Sequence, residues 1–196
     1  MAGRRGTTTT SSDSGQALVE FSLVLPVFLT LLFSLVEFGF VLSVSSDVNY
    51  VSRVAAMLAA EGGRSAGTDC MVLARIEREL TPPSTAARVS RVEIYWSDAN
   101  GDQIGSNLNA YDRGGSTTCD YGDGSSVTVP YTLSTAQYVE ADRCDVLAGC
   151  GGPHNTVDTI GVRITYRHAW VTSFGRYIAG SITFQRSTAV RMEPTL

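Results

Sequence analysis

Apolar residues are concentrated in one long run near the start of the chain and become sparse after Gly63. Between Ala17 and Val44 nearly every residue is apolar or small, over about 28 residues. At roughly 1.5 Å per residue, a helix of that length extends about 42 Å, whereas a membrane span needs only about 20 apolar residues. The run therefore predicts a membrane-spanning helix whose far end leaves the bilayer still helical.

Beyond the apolar run the pattern becomes amphipathic. The apolar positions are spaced three and four residues apart, which is typical of a helix with one buried face; they are Val44, Val48, Val51, Val54, Ala55 and Leu58. Gly62-Gly63 is a typical helix stop. We therefore expect one continuous helix over roughly 17–61, within an anchor unit of residues 16–62 whose outer half packs on a domain outside the membrane.

The remainder of the chain, residues 63–196, predicts a small domain of mixed structure. A short helix is expected over Cys70–Leu80, before Pro82-Pro83. Apolar and polar residues then alternate, as in the half-buried strands of an antiparallel sheet. The alternating stretches lie around Val92–Trp96, Val127–Leu133, Ile160–Trp170 and Ile182–Met192, and turn residues separate them at Asn100-Gly101, Gly114-Gly115 and Gly151-Gly152-Pro153. The prediction is an α+β, pilin-like fold with a sheet of about four strands on the long helix.

The polar residues before the apolar run predict its orientation. Residues 1–15 are polar and low in complexity, which predicts a disordered leader, and they include Arg4 and Arg5. Because basic residues beside a membrane span stay mainly on the cytoplasmic side, we expect a cytoplasmic N-terminus and an extracytoplasmic domain. A cleaved secretory signal peptide, the alternative, has a shorter apolar core of about 7–15 residues.

Glu20 is the most informative residue of the run. A carboxylate inside a bilayer is costly unless it is paired or close to the interface. A cut between Gly15 and Gln16 would give Gln16 a positively charged α-amino group, one helical turn from Glu20. We interpret these two charges as a pair that sets the register between adjacent subunits. The alternative is a border residue at the level of the lipid headgroups.

These residues also resemble a known family. Gly15, four residues and then Glu20-Phe21 match the recognition pattern of prepilin peptidases. The string GQALVEFSLVLPVFLTLLFSLVEFGF, with Pro26 and the Glu37-Phe38-Gly39 triplet, resembles the TadE-like proteins of tight-adherence (Flp) pilus systems. Residues 188–194 are similar to the closing strand of that family, whereas the middle of the chain, roughly 64–180, carries no matching motif. The family usually has a basic residue after Glu-Phe-Gly, where this chain has Phe40.

The resemblance implies a structural role. It suggests a pseudopilin or minor pilin, anchored in the cell membrane by a single pass and processed after Gly15 during assembly of a Flp-type pilus. The implied partners are membrane lipid, a prepilin peptidase, and other pilin or pseudopilin subunits with their assembly machinery. Pro26 and Glu37 are candidate helix contacts; Glu37 lies either near the far interface or against a partner helix. The alternative is an unprocessed, single-pass anchored binding or sensor protein.

The four cysteines all follow the apolar run. An even number of cysteines in an exported chain fits disulfides. We favour Cys144–Cys150, because a short loop closes at low cost, which leaves Cys70 to pair with Cys119. Four unpaired thiols are the alternative. A zinc site is disfavoured because the chain has no C-x-x-C pair.

The remaining candidate chemistry is weak. The net charge of −4 gives no basic footprint for nucleic acid. Asp98, Asn100 and Asp102 alternate as in a calcium loop, but Gln103 stands where glycine is required, so we interpret the segment as a hairpin turn. Neither His154 nor His168 has a ligand-spaced or nucleophilic neighbour in sequence. We predict a protein without catalytic residues, metal or cofactor; an anchored extracytoplasmic enzyme is the alternative.

Overall fold

The computed structural model describes residues 13–120, 124–147, 149–150, 154–172, 175–177 and 180–192. The leader residues 1–12, the Gly151-Gly152-Pro153 turn and the last residues of the closing strand lie outside this part. The helices are α1 (Asp13–Gly62) and α2 (Thr68–Glu79), and the strands are β1 (Val89–Ser97), β2 (Gln103–Asp120), β3 (Ser126–Ala136), β4 (Thr159–Ala169) and β5 (Ser181–Arg191). The predicted α+β class, with a long helix on an antiparallel sheet, is confirmed.

The sheet has five strands in the order β3-β2-β1-β4-β5, and every neighbouring pair is antiparallel. The prediction of about four strands was therefore wrong, because β2 was missed. Its sequence is rich in glycine, serine, asparagine and threonine, so it shows little apolar alternation, and pairing with β1 and β3 on both sides makes it a strand. Gly114-Gly115, expected as a turn, lies inside β2 where its register with β3 shifts between Arg113 and Thr117.

The core lies between one face of the sheet and the two helices. Fully buried side chains come from the outer half of α1 (Val44, Val48, Val51, Ala55, Ala59), from α2 (Val72, Leu73, Ile76) and from the central strands (Val92, Ile94, Ile160, Val162, Ile164). The stripe predicted on α1 is thus its contact with the domain, although Val54 and Leu58 are only half-buried. Burial of apolar area of this kind is the main stabilising term for the outer domain.

The opposite face of the sheet carries charged side chains and one aromatic ring. Arg91 pairs with Glu93 and Asp112, and Arg163 pairs with Glu93. Tyr95 also lies on this face, yet it is fully buried. Its ring lies over Gly161 of β4, where a side chain would collide with it, and the Arg163 guanidinium covers it at 4.7 Å. The Tyr95 ring is therefore buried between the Gly161 backbone and the Arg163 side chain.

The connection between β3 and β4 is fastened to the helices by charged side chains. The Glu140 carboxylate accepts hydrogen bonds from the backbone N–H groups of Gly67 and Asp69, at 2.9 and 2.6 Å, where the dipole at the start of α2 favours an anion. Arg143 is completely buried and donates to Asp69 at 2.6 Å. Asp69 also accepts from Asn109 and Tyr111 at 2.8 Å. This buried network was not predicted.

Two disulfides complete the domain. Cys70–Cys119 joins α2 to β2 with Cα atoms 5.7 Å apart, and Cys144–Cys150 closes a short loop with Cα atoms 4.2 Å apart. These are the pairings that the sequence favoured. The first bond crosslinks residues 49 positions apart, so it restricts the unfolded chain more than the second does.

Candidate functional site in the anchor helix

The first part of α1 projects away from the domain. From Gln16 to Val36 its side chains are exposed at nearly every position, and Leu18, Leu23 and Leu35 are each 70% exposed. This segment extends roughly 32 Å at 1.5 Å per residue, which matches the roughly 30 Å of a bilayer core. Within the described ranges, α1 is the one helix long and apolar enough to cross a membrane. It fits a single-pass membrane anchor.

The predicted processing site lies in the first turns of this helix. The side-chain amide of Gln16 donates a hydrogen bond to the Glu20 carboxylate at 3.0 Å, so these two residues share one helix face. Phe21 is 63% exposed. A side chain added at Gly15 would meet no atom within 4 Å, and Gly15 does not adopt a positive φ. Packing against the described residues therefore does not explain the glycine at position 15.

Pro26 lies inside α1 without ending it. A proline has no backbone N–H, so the helix loses one hydrogen bond at this position. Pro26 is exposed. Its role as a contact with another helix stays a prediction.

Glu37 marks the point at which the exposed part of α1 ends and the packed part begins. The Glu37 side chain is only 3% exposed. Its carboxylate accepts hydrogen bonds from the backbone N–H groups of Val171, at 3.1 Å, and of Thr172. Both donors belong to the connection between β4 and β5. The sequence predicts a position near the far interface or against a partner helix, and it does not reveal this partner within the chain.

Further contacts fix the outer half of α1 to β5. Arg186 donates to the Ser45 hydroxyl at 2.6 Å, and the Ser52 and Thr188 hydroxyls lie 2.9 Å apart. The β4–β5 connection and β5 therefore contact α1 at successive positions, Glu37, Ser45 and Ser52. The signal for this junction in the sequence was an acidic residue late in an apolar run, which requires a polar partner. It did not indicate which segment supplies that partner.

The two histidines and the Asp98 turn contact other residues of the domain. His154 lies 2.6 Å from the Asp158 carboxylate and stacks on Trp96 at 4.0 Å. His168 is buried, and burial together with the nearby Arg88 guanidinium lowers its pKa. Asp98 accepts hydrogen bonds from the N–H groups of Asn100 and Asp102 in the hairpin turn between β1 and β2. Across the described residues, no group of three or more His, Cys, Asp or Glu side chains is placed to hold a metal ion.

The anchor helix is also the segment that is similar to known proteins. Residues 15–57 match the family model of TadE-like proteins. This TadE-like segment begins at Gly15, covers the exposed part of α1 and most of its packed part, and includes about a fifth of the chain. No curated protein and no solved structure matches the chain. The match confirms the suspected resemblance, and with the exposed apolar helix it fits a membrane-anchored component of a Tad pilus, a structural rather than an enzymatic class.

Proposed function

We propose that this protein is a TadE-like pseudopilin or minor pilin that acts as a structural subunit in Flp-type pilus assembly. The observation that carries the proposal is the TadE-like segment, which starts at Gly15 and continues through an apolar helix whose side chains the described part of the chain leaves exposed. The leader is cytoplasmic and a prepilin peptidase removes it after Gly15. The outer domain then caps, primes or decorates the filament.

The exposed helix has two successive environments in this proposal. Lipid surrounds residues 16–36 before assembly, and the helices of other pilin subunits surround them afterwards. Lipid is as apolar as the leucines of the helix, so the hydrophobic effect does not select one helix partner over another. Polar groups within the helix therefore have to specify the register.

Glu20 is the group that we assign to this role. Cleavage after Gly15 creates an α-amino group on Gln16, which is positively charged at neutral pH. The Gln16 and Glu20 side chains already contact each other on one face of the helix. In the assembled state the Glu20 carboxylate pairs with the N-terminal amine of a neighbouring subunit, and each charge is then satisfied in a region without water.

A charge-removing substitution tests this assignment. Glu20→Gln keeps the size of the side chain and an oxygen that can accept from Gln16, but it removes the negative charge. In cells that lack the native chain, we expect Glu20→Gln to insert into the membrane normally and to reduce surface pili by tenfold or more. Glu61→Gln is the matched control, because Glu61 is exposed at the outer end of the same helix, and it should restore normal piliation.

Two results would contradict the proposal. Normal piliation with Glu20→Gln would remove the role given to the carboxylate. Normal piliation in cells without any copy of the chain would remove the role in assembly altogether, and it would favour the anchored binding or sensor protein.

A further inference from the structure

A basic cavity of about 540 Å³ lies where the sheet meets the junction with α1. Four arginines line it, Arg88, Arg113, Arg167 and Arg176, together with backbone and small side chains from β1, β4 and the β4–β5 connection. No aspartate or glutamate is among the described residues that line it. In a protein with a net charge of −4, such a concentration of positive charge requires an explanation.

Three of these guanidinium groups are not neutralised within the described part of the chain. Arg113 forms an ion pair with Glu77. Arg88 donates to the Ala169 carbonyl at 3.4 Å and Arg167 to the Ser181 hydroxyl at 3.1 Å, so both are oriented by neutral acceptors. Arg176 is exposed, and none of these three takes part in an ion pair among the described side chains. The cavity is therefore suited to an anion from outside the protein.

The cavity lies at the level at which α1 leaves its exposed apolar segment. Ala169 ends β4, and Val171 and Thr172, two and three residues further, donate to Glu37. Glu37 directly follows the 16–36 segment that matches the thickness of a bilayer core. The Arg88 contact with Ala169 thus places the basic cavity within a few residues of the membrane exit.

The same connection exposes apolar and aromatic side chains. Tyr177 is 93% exposed and Val171 is 55% exposed. A tyrosine favours the boundary between water and lipid, where its ring is in an apolar environment and its hydroxyl is hydrated. Exposed apolar groups next to unpaired arginines are typical of a surface that contacts anionic lipid.

We propose that Arg88, Arg167 and Arg176 bind the phosphate of an anionic phospholipid headgroup in the leaflet from which α1 emerges. Guanidinium groups suit this ligand because their planar N–H donors can bind two phosphate oxygens at once. Tyr177 and Val171 insert beside the headgroup, and the domain is thereby held at a fixed tilt on the membrane. This inference requires the membrane anchor but neither cleavage nor pilus assembly, so it fails or succeeds separately from the proposed function.

Lipid retention by the full chain tests the site. The protein is reconstituted with phosphatidylcholine and phosphatidylglycerol in equal amounts, and native mass spectrometry then counts the lipids that remain bound. We expect wild type to retain phosphatidylglycerol in preference. Arg167→Gln/Arg176→Gln should lower that preference by roughly 25-fold, because each of the two arginines near an anionic surface contributes about a fivefold effect.

The control variant is Arg53→Gln/Arg191→Gln. Both residues are exposed. Arg53 lies on the outer half of α1, and Arg191 is the last residue of β5, whereas Ser181 beside the cavity is the first. This variant removes the same charge and should retain the wild-type preference. Equal retention of both lipids by wild type, or an equal loss in the control, would overturn the proposal. Displacement of the bound lipid by millimolar inorganic phosphate would also overturn it, because the ligand would then be a soluble anion.

Discussion

At the scale of single residues, the two carboxylates of the apolar helix have different surroundings. Glu37 is satisfied within the chain by two backbone N–H groups. Among the described residues, the hydrogen-bond partner of Glu20 is the neutral amide of Gln16, in an exposed stretch of the helix. A carboxylate whose hydrogen bonds are satisfied by backbone N–H groups of the fold is held within the chain, whereas one with a neutral side-chain donor in an exposed stretch is available to a second molecule. This difference is the physical basis for assigning intermolecular pairing to Glu20.

For the buried pair of Asp69 and Arg143, we predict which of two substitutions lowers the free energy of unfolding more. Among the described residues, Asp69→Ala leaves the fully buried Arg143 with the Tyr138 carbonyl as its hydrogen-bond acceptor, and we expect a loss of about 3–5 kcal/mol in the free energy of unfolding. Arg143→Met leaves Asp69 with donors from Asn109 and Tyr111, so the loss should be smaller, about 1–3 kcal/mol. Urea unfolding of the full chain in nanodiscs, followed by near-ultraviolet circular dichroism, measures both.

An exposed ion pair provides the control for that measurement. Arg75 and Glu79 pair across one turn of α2 with 43% and 24% of their side chains exposed. Removing either member should cost less than about 1 kcal/mol. A larger loss for Arg143→Met than for Asp69→Ala would contradict the role given to the hydrogen bonds that remain on Asp69.

At the scale of elements, local pattern predicted the two helices and the four strands with strong apolar alternation, β1, β3, β4 and β5. The α1 prediction differs from the structure by a few residues at the start and one at the end, because a long apolar run with a Gly-Gly stop is a local signal. β2 was missed because strand pairing, rather than burial along its length, makes it a strand. The partner of Glu37 was missed because it lies 134 residues away in sequence, and Arg143 lies 74 residues from Asp69.

The junction between α1 and the β4–β5 connection can be tested locally. Glu37→Ala removes the acceptor of the Val171 and Thr172 N–H groups, and hydrogen bonds to a charged group contribute about 1.5–3 kcal/mol. We therefore expect amide exchange at these two residues to become about tenfold to a hundredfold faster. Exchange in the core of β4, at Val162 and Ile164, should not change.

Hydrogen–deuterium exchange of the full chain in nanodiscs makes this comparison. Glu61→Ala, at an exposed position of the same helix, should leave all of these rates unchanged. Wild-type exchange rates at Val171 and Thr172 in the Glu37→Ala chain would show that the carboxylate does not hold the connection. Faster exchange across the whole sheet would show that Glu37 supports the entire domain rather than the junction.

At the scale of the whole molecule, α1 combines an exposed apolar segment that is long enough for a bilayer core with a packed segment that carries the five-stranded sheet. The TadE-like segment covers the helix and none of the five strands. The predicted function therefore comes from the helix, and the sheet contributes the junction, the disulfides and the basic cavity. Sequence could indicate the anchor because its chemistry is local, whereas the cavity gathers arginines from β2, β4 and two connections, which only the folded chain brings together.

The intact mass of the protein in cell membranes, with and without a prepilin peptidase, tests the central claim most directly. We predict a chain that begins at Gln16 when the peptidase is present and one that retains residues 1–15 when it is absent. Gly15→Val should block the cut, and the control Gly39→Val should not. Neither substitution should disturb packing, because a Cβ at either glycine would meet no described atom within 4 Å. A wild-type chain that keeps residues 1–15 in the presence of an active peptidase would contradict the account.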